Sequence, residues 1–139
     1  MDDFCKAEDE ERMMEEVRRR LVEIEALYGR VPLVPQVLSE HPEVFLAYSD
    51  YSDVALQRTK HLDRKTAELA AVAAGSALAS QHCLSVHIEA AFKAGADRDE
   101  VLESLLLGAF MAMARSQSVS LRTFQEVEAK RGPSSGPDE

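Results

Sequence analysis

The sequence predicts an all-α fold, a compact helical domain of about five helices. Apolar residues recur at three- and four-residue steps in several segments, which is the spacing of an amphipathic helix. Residues 64–79 are dominated by Ala, Leu and Val, and Ala is the strongest helix former. No segment shows the period-two alternation of a strand, and there is no Asn-Gly or Asp-Gly turn. We assign residues 1–130 to a single domain, with about 1–8 frayed, and residues 131–139 to a flexible tail.

The first helix is predicted from about Glu8 to Tyr28. Gly29 suits the end of this helix, and Pro32 lies just beyond it. Residues 31–35 are predicted to be an extended connector, because a residue before proline avoids the helical region. The apolar positions that repeat along this first helix are Met13, Val17, Leu21 and Ile24.

The second and third helices begin at recognisable residues. Pro42 occupies an early position of a helix that is predicted to run to about Leu56, because proline is favoured in a first turn. Asp63 is expected to cap the next helix, which continues through the Ala-rich segment to about Ala79.

The last two helices follow short breaks. Ser80 is a reasonable N-cap for a helix over about residues 81–94, which ends at Gly95. Residues 97–99 would cap a long final helix, from about residue 100 toward 128. Because the break at Ser80 is short, the helices on either side of it are expected to pack as a helical hairpin.

Composition limits the compartment and the partners. The formal net charge of −9 argues against binding to nucleic acid and to an anionic membrane surface, which both require clustered Lys and Arg. No signal peptide and no membrane-spanning run is expected. Cys5 and Cys83 lie far apart in sequence, so we expect no structural disulfide and a reducing, cytoplasmic location.

Two segments predict association between subunits. Residues 69–79 and 105–114 are apolar nearly all round. A helix of this kind has to be buried on every side, which a chain this small achieves by packing against another subunit. The sequence therefore predicts a homo-oligomer.

Cys83 is the centre of the constellation that could carry chemistry. On a helix, His87 lies one turn after Cys83 on the same face, and Ser80 extends that face at the helix start. The positive end of the helix dipole stabilises a thiolate near the N-terminus, and an imidazole can accept the thiol proton. His82 is expected to point away from this face, but we keep it among the candidate catalytic residues.

Glu68 completes the candidate site. It is the only acidic residue between Asp63 and Glu89, and it lies in an apolar stretch. The predicted hairpin would turn Glu68 toward Cys83 and His87, where a carboxylate can relay protons.

Simpler explanations compete with this one. A cysteine in an Ala-rich helix is most often a small core residue, and Glu68 near a helix start is more often exposed to solvent. A rival hypothesis makes Glu68, Cys83 and His87 three metal ligands, with His82 or water as the fourth. The paired Cys-x-x-Cys of structural zinc sites is missing, so no metal and no cofactor are predicted.

These residues and their order resemble the alkylhydroperoxide-reductase D-like, or carboxymuconolactone decarboxylase, family. Redox-active members carry Glu, eleven residues, Cys-x-x-Cys, three residues and His. Here Glu68, Ser80-Gln81-His82-Cys83 and His87 stand at the same spacing. The resemblance covers roughly residues 30–125 and implies an all-helical fold and homo-oligomers, commonly trimers or hexamers.

Ser80 departs from the family pattern, because the redox-active members have their first cysteine there. Cys83 matches the cysteine that peroxide oxidises to a sulfenic acid in the family. A serine cannot form the internal disulfide that such members use. A dithiol cycle would therefore need a second sulfur from Cys5 or from another subunit.

The leading hypothesis is a single-cysteine peroxide-reducing oxidoreductase that acts on a small hydroperoxide and is regenerated by an external thiol. Cys83 would be the nucleophile, while His87 and Glu68 activate it and relay protons. Ser80 would hydrogen-bond the sulfur or its oxidised form.

Two alternatives stay open. One is a decarboxylase-like lyase acting on a small carboxylated lactone, with His87 and Glu68 as the acid–base pair. The few basic residues nearby, Arg64, Lys65 and Lys93, count against it. The other is a helical oligomer without catalysis, in which Cys83 is unreactive.

Overall fold

The computed structural model describes the backbone of residues 2–131 and the side chains of residues 6–131. This part of the chain contains six α-helices and no strand, which confirms the predicted all-α class. The predicted tail lies outside the described residues, apart from Arg131. The helices are α1 (Asp2–Tyr28), α2 (Leu33–Leu38), α3 (Pro42–Ser52), α4 (Arg64–Ala77), α5 (Gln81–Lys93) and α6 (Arg98–Arg131), and a π-helical turn (Asp53–Gln57) continues α3.

The N-terminal region is more helical than predicted. Helix α1 begins at Asp2 rather than near Glu8, and the extended connector predicted over residues 31–35 is wrong, because α2 begins there. Pro35 is the third residue of α2. The amide groups of a first helical turn have no partner within the helix, so a proline at that position removes no hydrogen bond.

The end of α3 also differs from the prediction. Instead of continuing as an α-helix to Leu56, the chain widens into the π-helical turn. The backbone N–H of Arg58 donates to the carbonyl oxygen of Asp53 over 2.8 Å, which is a five-residue step. The side chains of the same two residues form an ion pair, with 2.5 Å between Nε and Oδ2, so Arg58 holds the turn at both its backbone and its side chain.

Two predicted helix starts are confirmed in atomic detail. The backbone N–H of Thr66 donates to Oδ1 of Asp63 over 2.7 Å at the start of α4. At the start of α6, the N–H of Glu100 donates to Asp97 Oδ1 and Glu100 Oε2 accepts from the N–H of Asp97. This reciprocal arrangement is a capping box, which satisfies amide groups that would otherwise be left without partners.

Helices α4, α5 and α6 form the main core, with α4 packed against both of the others. Small residues allow this close packing: a Cβ added to Gly75 would lie 3.2 Å from Leu84 of α5. On the other side of α4, the hydroxyl of Ser76 donates to the carbonyl oxygen of Leu105 over 2.8 Å. The fully buried members of this core are Val72, Ala91, Ala96 and Val101.

Helix α1 lies against α3 and α5 and closes the other side of the hairpin. Its last residue, Tyr28, is buried with Val86 and Ala90 of α5. Phe45 is the fully buried residue of α3. The middle of α5 is therefore covered by α1, a helix that lies far from it in sequence.

Much of α6 packs against nothing within the described chain. Leu106, Leu107, Phe110 and Met111 are each more than half exposed, as is Leu78 at the end of α4. The homo-oligomer predicted from these apolar segments stays a prediction. None of the described helices has a stretch long and apolar enough to cross a membrane.

Gly108 controls the approach of α6 to α4. A Cβ at this position would lie 2.0 Å from the carbonyl oxygen of Ala73, a backbone atom that cannot move away alone. We expect Gly108→Ala to reduce the free energy of unfolding by about 2 kcal/mol or more, measured by urea denaturation. The control Gln125→Ala, on an exposed part of α6, should change it by less than about 0.5 kcal/mol. Equal stability of the two variants would contradict the packing described here.

Ala79 carries backbone strain between α4 and α5. Its φ is +51°, in the left-handed region where an L side chain costs about 1 kcal/mol or more. We expect Ala79→Gly to raise the free energy of unfolding by about 1 kcal/mol, measured by thermal and urea denaturation. Ala77→Gly, two residues earlier in regular helix, should lower it by a similar amount. The same sign for both variants would show that φ is not the cause.

Candidate functional site

Glu68 is a fully buried acid at the centre of the site. Its Oε2 lies 2.8 Å from Nδ1 of His87 on α5, so the two side chains meet across the hairpin as the sequence predicts. Its Oε1 lies 2.5 Å from Nη2 of Arg64, one turn earlier in α4. The guanidinium contacts Oε1 without the alignment of a hydrogen bond, so its contribution is mainly that of a compensating charge.

Two further residues close a ring around this acid. Gln57 donates from Nε2 to the hydroxyl oxygen of Tyr28 over 2.7 Å, and its Oε1 accepts from Arg64. The ring of Tyr28 meets the imidazole of His87 edge-on, with 6.4 Å between centroids and an interplanar angle of 89°. Each member of the ring therefore limits the position of its neighbours.

The environment of Tyr28 keeps its hydroxyl protonated. Burial raises the pKa of Tyr28 above its usual value, and the negative charge of Glu68 raises it further. A neutral hydroxyl can remain beside the acid without adding a second negative charge.

The π-helical turn places Gln57 in this ring. Each residue of an α-helix turns the chain by about 100°, so a widened turn that absorbs an extra residue changes the direction of the side chains after it. Gln57 is the last residue of that turn. The irregularity at the end of α3 is thus tied directly to the site.

Cys83 is the third residue of α5 and is exposed. It lines a cavity of about 500 Å³ together with His82 and His87. Tyr48 of α3 lines the same cavity, and its pKa is raised first by burial and then by the negative charge of a Cys83 thiolate. The Tyr48 hydroxyl therefore stays protonated, and it lines the cavity together with Cys83.

The residues from α5 that line the cavity form two adjacent rows. His82 and Val86 are one turn apart, as are Cys83 and His87, and all four line the cavity. The expectation that His82 points away is wrong, because His82 lines the same cavity as Cys83 and His87. Ser80 is the N-cap residue of α5, but its side chain makes no capping hydrogen bond and is not part of the cavity lining.

The rest of the cavity lining contains both apolar and charged residues. Charged groups occur in matched pairs: Arg20 lies 2.5 Å from Asp50, and Arg58 contacts Asp53. Because each cation has its anion beside it, the wall has little net charge. The apolar lining residues are Ile24, Leu27, Pro32, Val34, Pro35, Leu56 and Val86.

Of the three basic residues that the sequence suggests near the site, Arg64 lies beside Glu68, and none lines the cavity. Lys65 pairs with Glu100 over 2.7 Å, and Lys93 points its Nζ to the carbonyl oxygen of Leu27. Arg64 pairs with Glu68 in the ring. The arginines that do line the cavity, from α1 and from the end of the π-helical turn, are Arg19, Arg20 and Arg58.

The rival metal hypothesis finds no matching cluster. Among residues with described side chains, no three His, Cys, Asp or Glu residues are grouped to hold a metal ion. The side chain of Cys5, the possible second sulfur, lies outside the described residues.

Comparison with known proteins gives the family. The sequence profile of the carboxymuconolactone decarboxylase family matches residues 42–126, which is more than half of the chain. The chain belongs to this family. No curated protein and no solved structure gives a significant match. The resemblance predicted from the spacing of Glu68, Cys83 and His87 is thus confirmed.

The match to the carboxymuconolactone decarboxylase family contains α3 to α6, with all the candidate residues predicted from sequence. Helix α1 lies outside it, and yet it supplies Tyr28 to the ring and Arg20 to the cavity wall. Sequence reasoning missed Tyr28, Tyr48 and Gln57. The sequence did indicate that Arg64 could pair with Glu68, because Arg64 stands four residues before it on one helix.

The buried ion pair should be important for stability. Arg64→Met leaves the Glu68 carboxylate buried with one partner fewer, so we expect a loss of about 2 kcal/mol in the free energy of unfolding by urea denaturation at neutral pH. The matched control is Arg18→Met, whose pair with Glu15 is exposed on α1 and should contribute less than about 1 kcal/mol. Adding Glu68→Leu to Arg64→Met should recover part of the loss.

Equal losses in Arg64→Met and Arg18→Met would contradict this assignment, because the buried Glu68 carboxylate would then not depend on its charged neighbour.

Proposed function

We propose that the chain is a single-cysteine thiol peroxidase that reduces a small hydroperoxide. The observation that carries this proposal is the position of Cys83, exposed in the first turn of α5 and lining the same cavity as His87. His87 is held by the buried Glu68 at 2.8 Å. A reactive thiol and an oriented acid–base pair thus share one opening.

The start of α5 suits a sulfur that carries negative charge during the reaction. The helix dipole places partial positive charge at the N-terminal end of a helix, and Cys83 lies in the first turn of α5. The hydroxyl of Tyr48, which lines the same cavity, can donate a hydrogen bond toward a negative group there. Both features would help the sulfur to attack without a metal ion.

His87 would carry the proton between the two halves of the reaction. Since Nδ1 faces Glu68, Nε2 is the nitrogen left to accept the proton of Cys83. The thiolate attacks the terminal oxygen of the hydroperoxide, a sulfur–oxygen bond forms and the oxygen–oxygen bond breaks. The departing alkoxide takes the proton back from His87, which gives an alcohol and a Cys83 sulfenic acid.

An external thiol would return the enzyme to its starting state. The thiol attacks the sulfenic sulfur, water leaves and a mixed disulfide forms. A second thiol then reduces that disulfide and restores the Cys83 thiol. Ser80 replaces the residue that would supply the neighbouring thiol, so the proposed cycle uses an external reductant, which suits a reducing, cytoplasmic setting.

A decarboxylase-like lyase is the second candidate, and one observation favours it. Arg19, Arg20 and Arg58 line the cavity and offer the cations that a carboxylated lactone needs. In that reaction His87 and Glu68 would be the acid–base pair and Cys83 would have no role. However, the three arginines already form ion pairs with acidic neighbours, and these pairs lower their attraction for a substrate carboxylate.

The peroxidase proposal predicts a sulfenic acid on Cys83. In a Cys5→Ser background, tert-butyl hydroperoxide followed by dimedone should give one adduct by intact mass, and Cys83→Ala should give none. His87→Ala and Glu68→Gln should slow adduct formation by about 10² or more, because they remove the acid–base pair. His61→Ala is the control, since His61 is exposed and is not part of the cavity lining.

Circular dichroism should show that these variants keep the helical content of the parent chain. A Cys83 that stays reduced in folded protein would contradict the proposal. Turnover of a carboxylated lactone that survives Cys83→Ala but not His87→Ala would support the lyase instead.

A further inference from the structure

Most of α6, from Leu106 to Val127, carries an apolar seam that faces nothing in the described chain. Steps of four and three residues alternate along it without a break, which is the heptad spacing of a coiled coil. Its apolar members are between 47% and 60% exposed. The seam residues are Leu106, Phe110, Met113, Gln117, Ser120, Phe124 and Val127.

The seam lies on the side of α6 that faces away from the body of the protein. Helix α6 contacts α4 through the face of Val101 and Gly108, which are buried. Phe110 stands two residues after Gly108 and so points nearly the opposite way. From Leu106 to Val127 the seam is roughly 32 Å long, at 1.5 Å per residue.

We propose that the seam is an interface where α6 of a second copy of this chain packs antiparallel to the first. The order of the seam residues is self-complementary in that direction. Phe110 would face Val127 of the second copy, and Met113 would face its Phe124. These two layers and their symmetry mates enclose a polar centre, in which Gln117 faces Ser120 of the second copy.

Gln117 and Ser120 are compatible as facing residues in the polar centre of the proposed interface. The hydroxyl of Ser120 already donates to the carbonyl oxygen of Ser116 over 2.8 Å, so it needs no further acceptor. A small residue opposite Gln117 leaves room for the longer side chain. A polar layer inside an apolar seam also sets the register between two helices.

Charge decides between the antiparallel and the parallel arrangement. Lys130 and Arg131 end the helix, and Glu103 stands one turn before the seam. In the antiparallel pair Arg131 lies within one turn of Glu103 of the second copy. A parallel pair would bring like charges together at both ends and would align the two helix dipoles unfavourably.

The first test measures mass in solution. The full chain should exceed the monomer mass in sedimentation or light scattering at about 100 μM, a concentration that detects micromolar association. Phe110→Glu and Phe124→Glu should each halve the assembly mass or raise its dissociation constant at least about tenfold. Val119→Glu is the matched control, because Val119 is apolar and 62% exposed on the same helix but lies off the seam and outside the apolar segment 105–114.

The second test measures direction with spin labels, in a Cys5→Ser and Cys83→Ser background. A label at residue 118, next to the symmetry axis, should lie close to its copy. A label at residue 103 should lie about 45 Å from its copy, by the 1.5 Å rise per residue. Short distances at both positions would mean parallel packing and would overturn the proposal.

A monomer at this concentration would also overturn it and leave the seam to another occupant. So would an assembly that the two Phe variants leave intact, because the subunits would then meet elsewhere. Circular dichroism should be the same for the two Phe variants and for Val119→Glu, since all three side chains are more than half exposed.

Discussion

The buried carboxylate of Glu68 is the interaction on which the arrangement of the site depends. An ionised acid removed from water costs several kcal/mol unless its neighbours compensate it. Arg64 supplies the charge from the same helix, and His87 supplies a hydrogen-bonding partner from α5. Arg64 in turn orders Gln57, and Gln57 orders Tyr28. One buried charge thereby ties together α1, the π-helical turn and both helices of the hairpin.

This network requires helices that approach closely. Gly75 brings α4 against α5, and Gly108 brings α6 against the backbone of α4. Glu68 is fully buried and the side chain of His87 is 19% exposed, so both lie behind the surface. Cys83 lies at the exposed start of α5 instead. In the proposed function, this arrangement separates the pair that must keep its geometry from the sulfur that must meet other molecules.

Local features of the site could be predicted from sequence, and distant ones could not. The cap at Asp63 and the meeting of Glu68 with His87 depend on helical spacing and a short break, which sequence displays directly. Tyr28 reaches the site only because α1 folds back on α5, a contact between residues far apart in the chain. The position of Gln57 depends on the π-helical turn that Arg58 holds, and the spacing of apolar residues does not predict such a turn.

The serine at position 80 has a consequence that follows from the proposed function. A hydroxyl cannot form a disulfide, so in the proposed reaction Ser80 cannot help to reduce an oxidised Cys83, and an external thiol does so. The same cavity must then admit the peroxide first and the thiol later. Its paired charges allow both molecules to enter, because the pairs Arg20–Asp50 and Arg58–Asp53 leave little net electric field to repel the peroxide or the thiol. Cys83 is also exposed, which the reduction step requires, since the attacking thiol has to approach the sulfur in line with the bond that breaks.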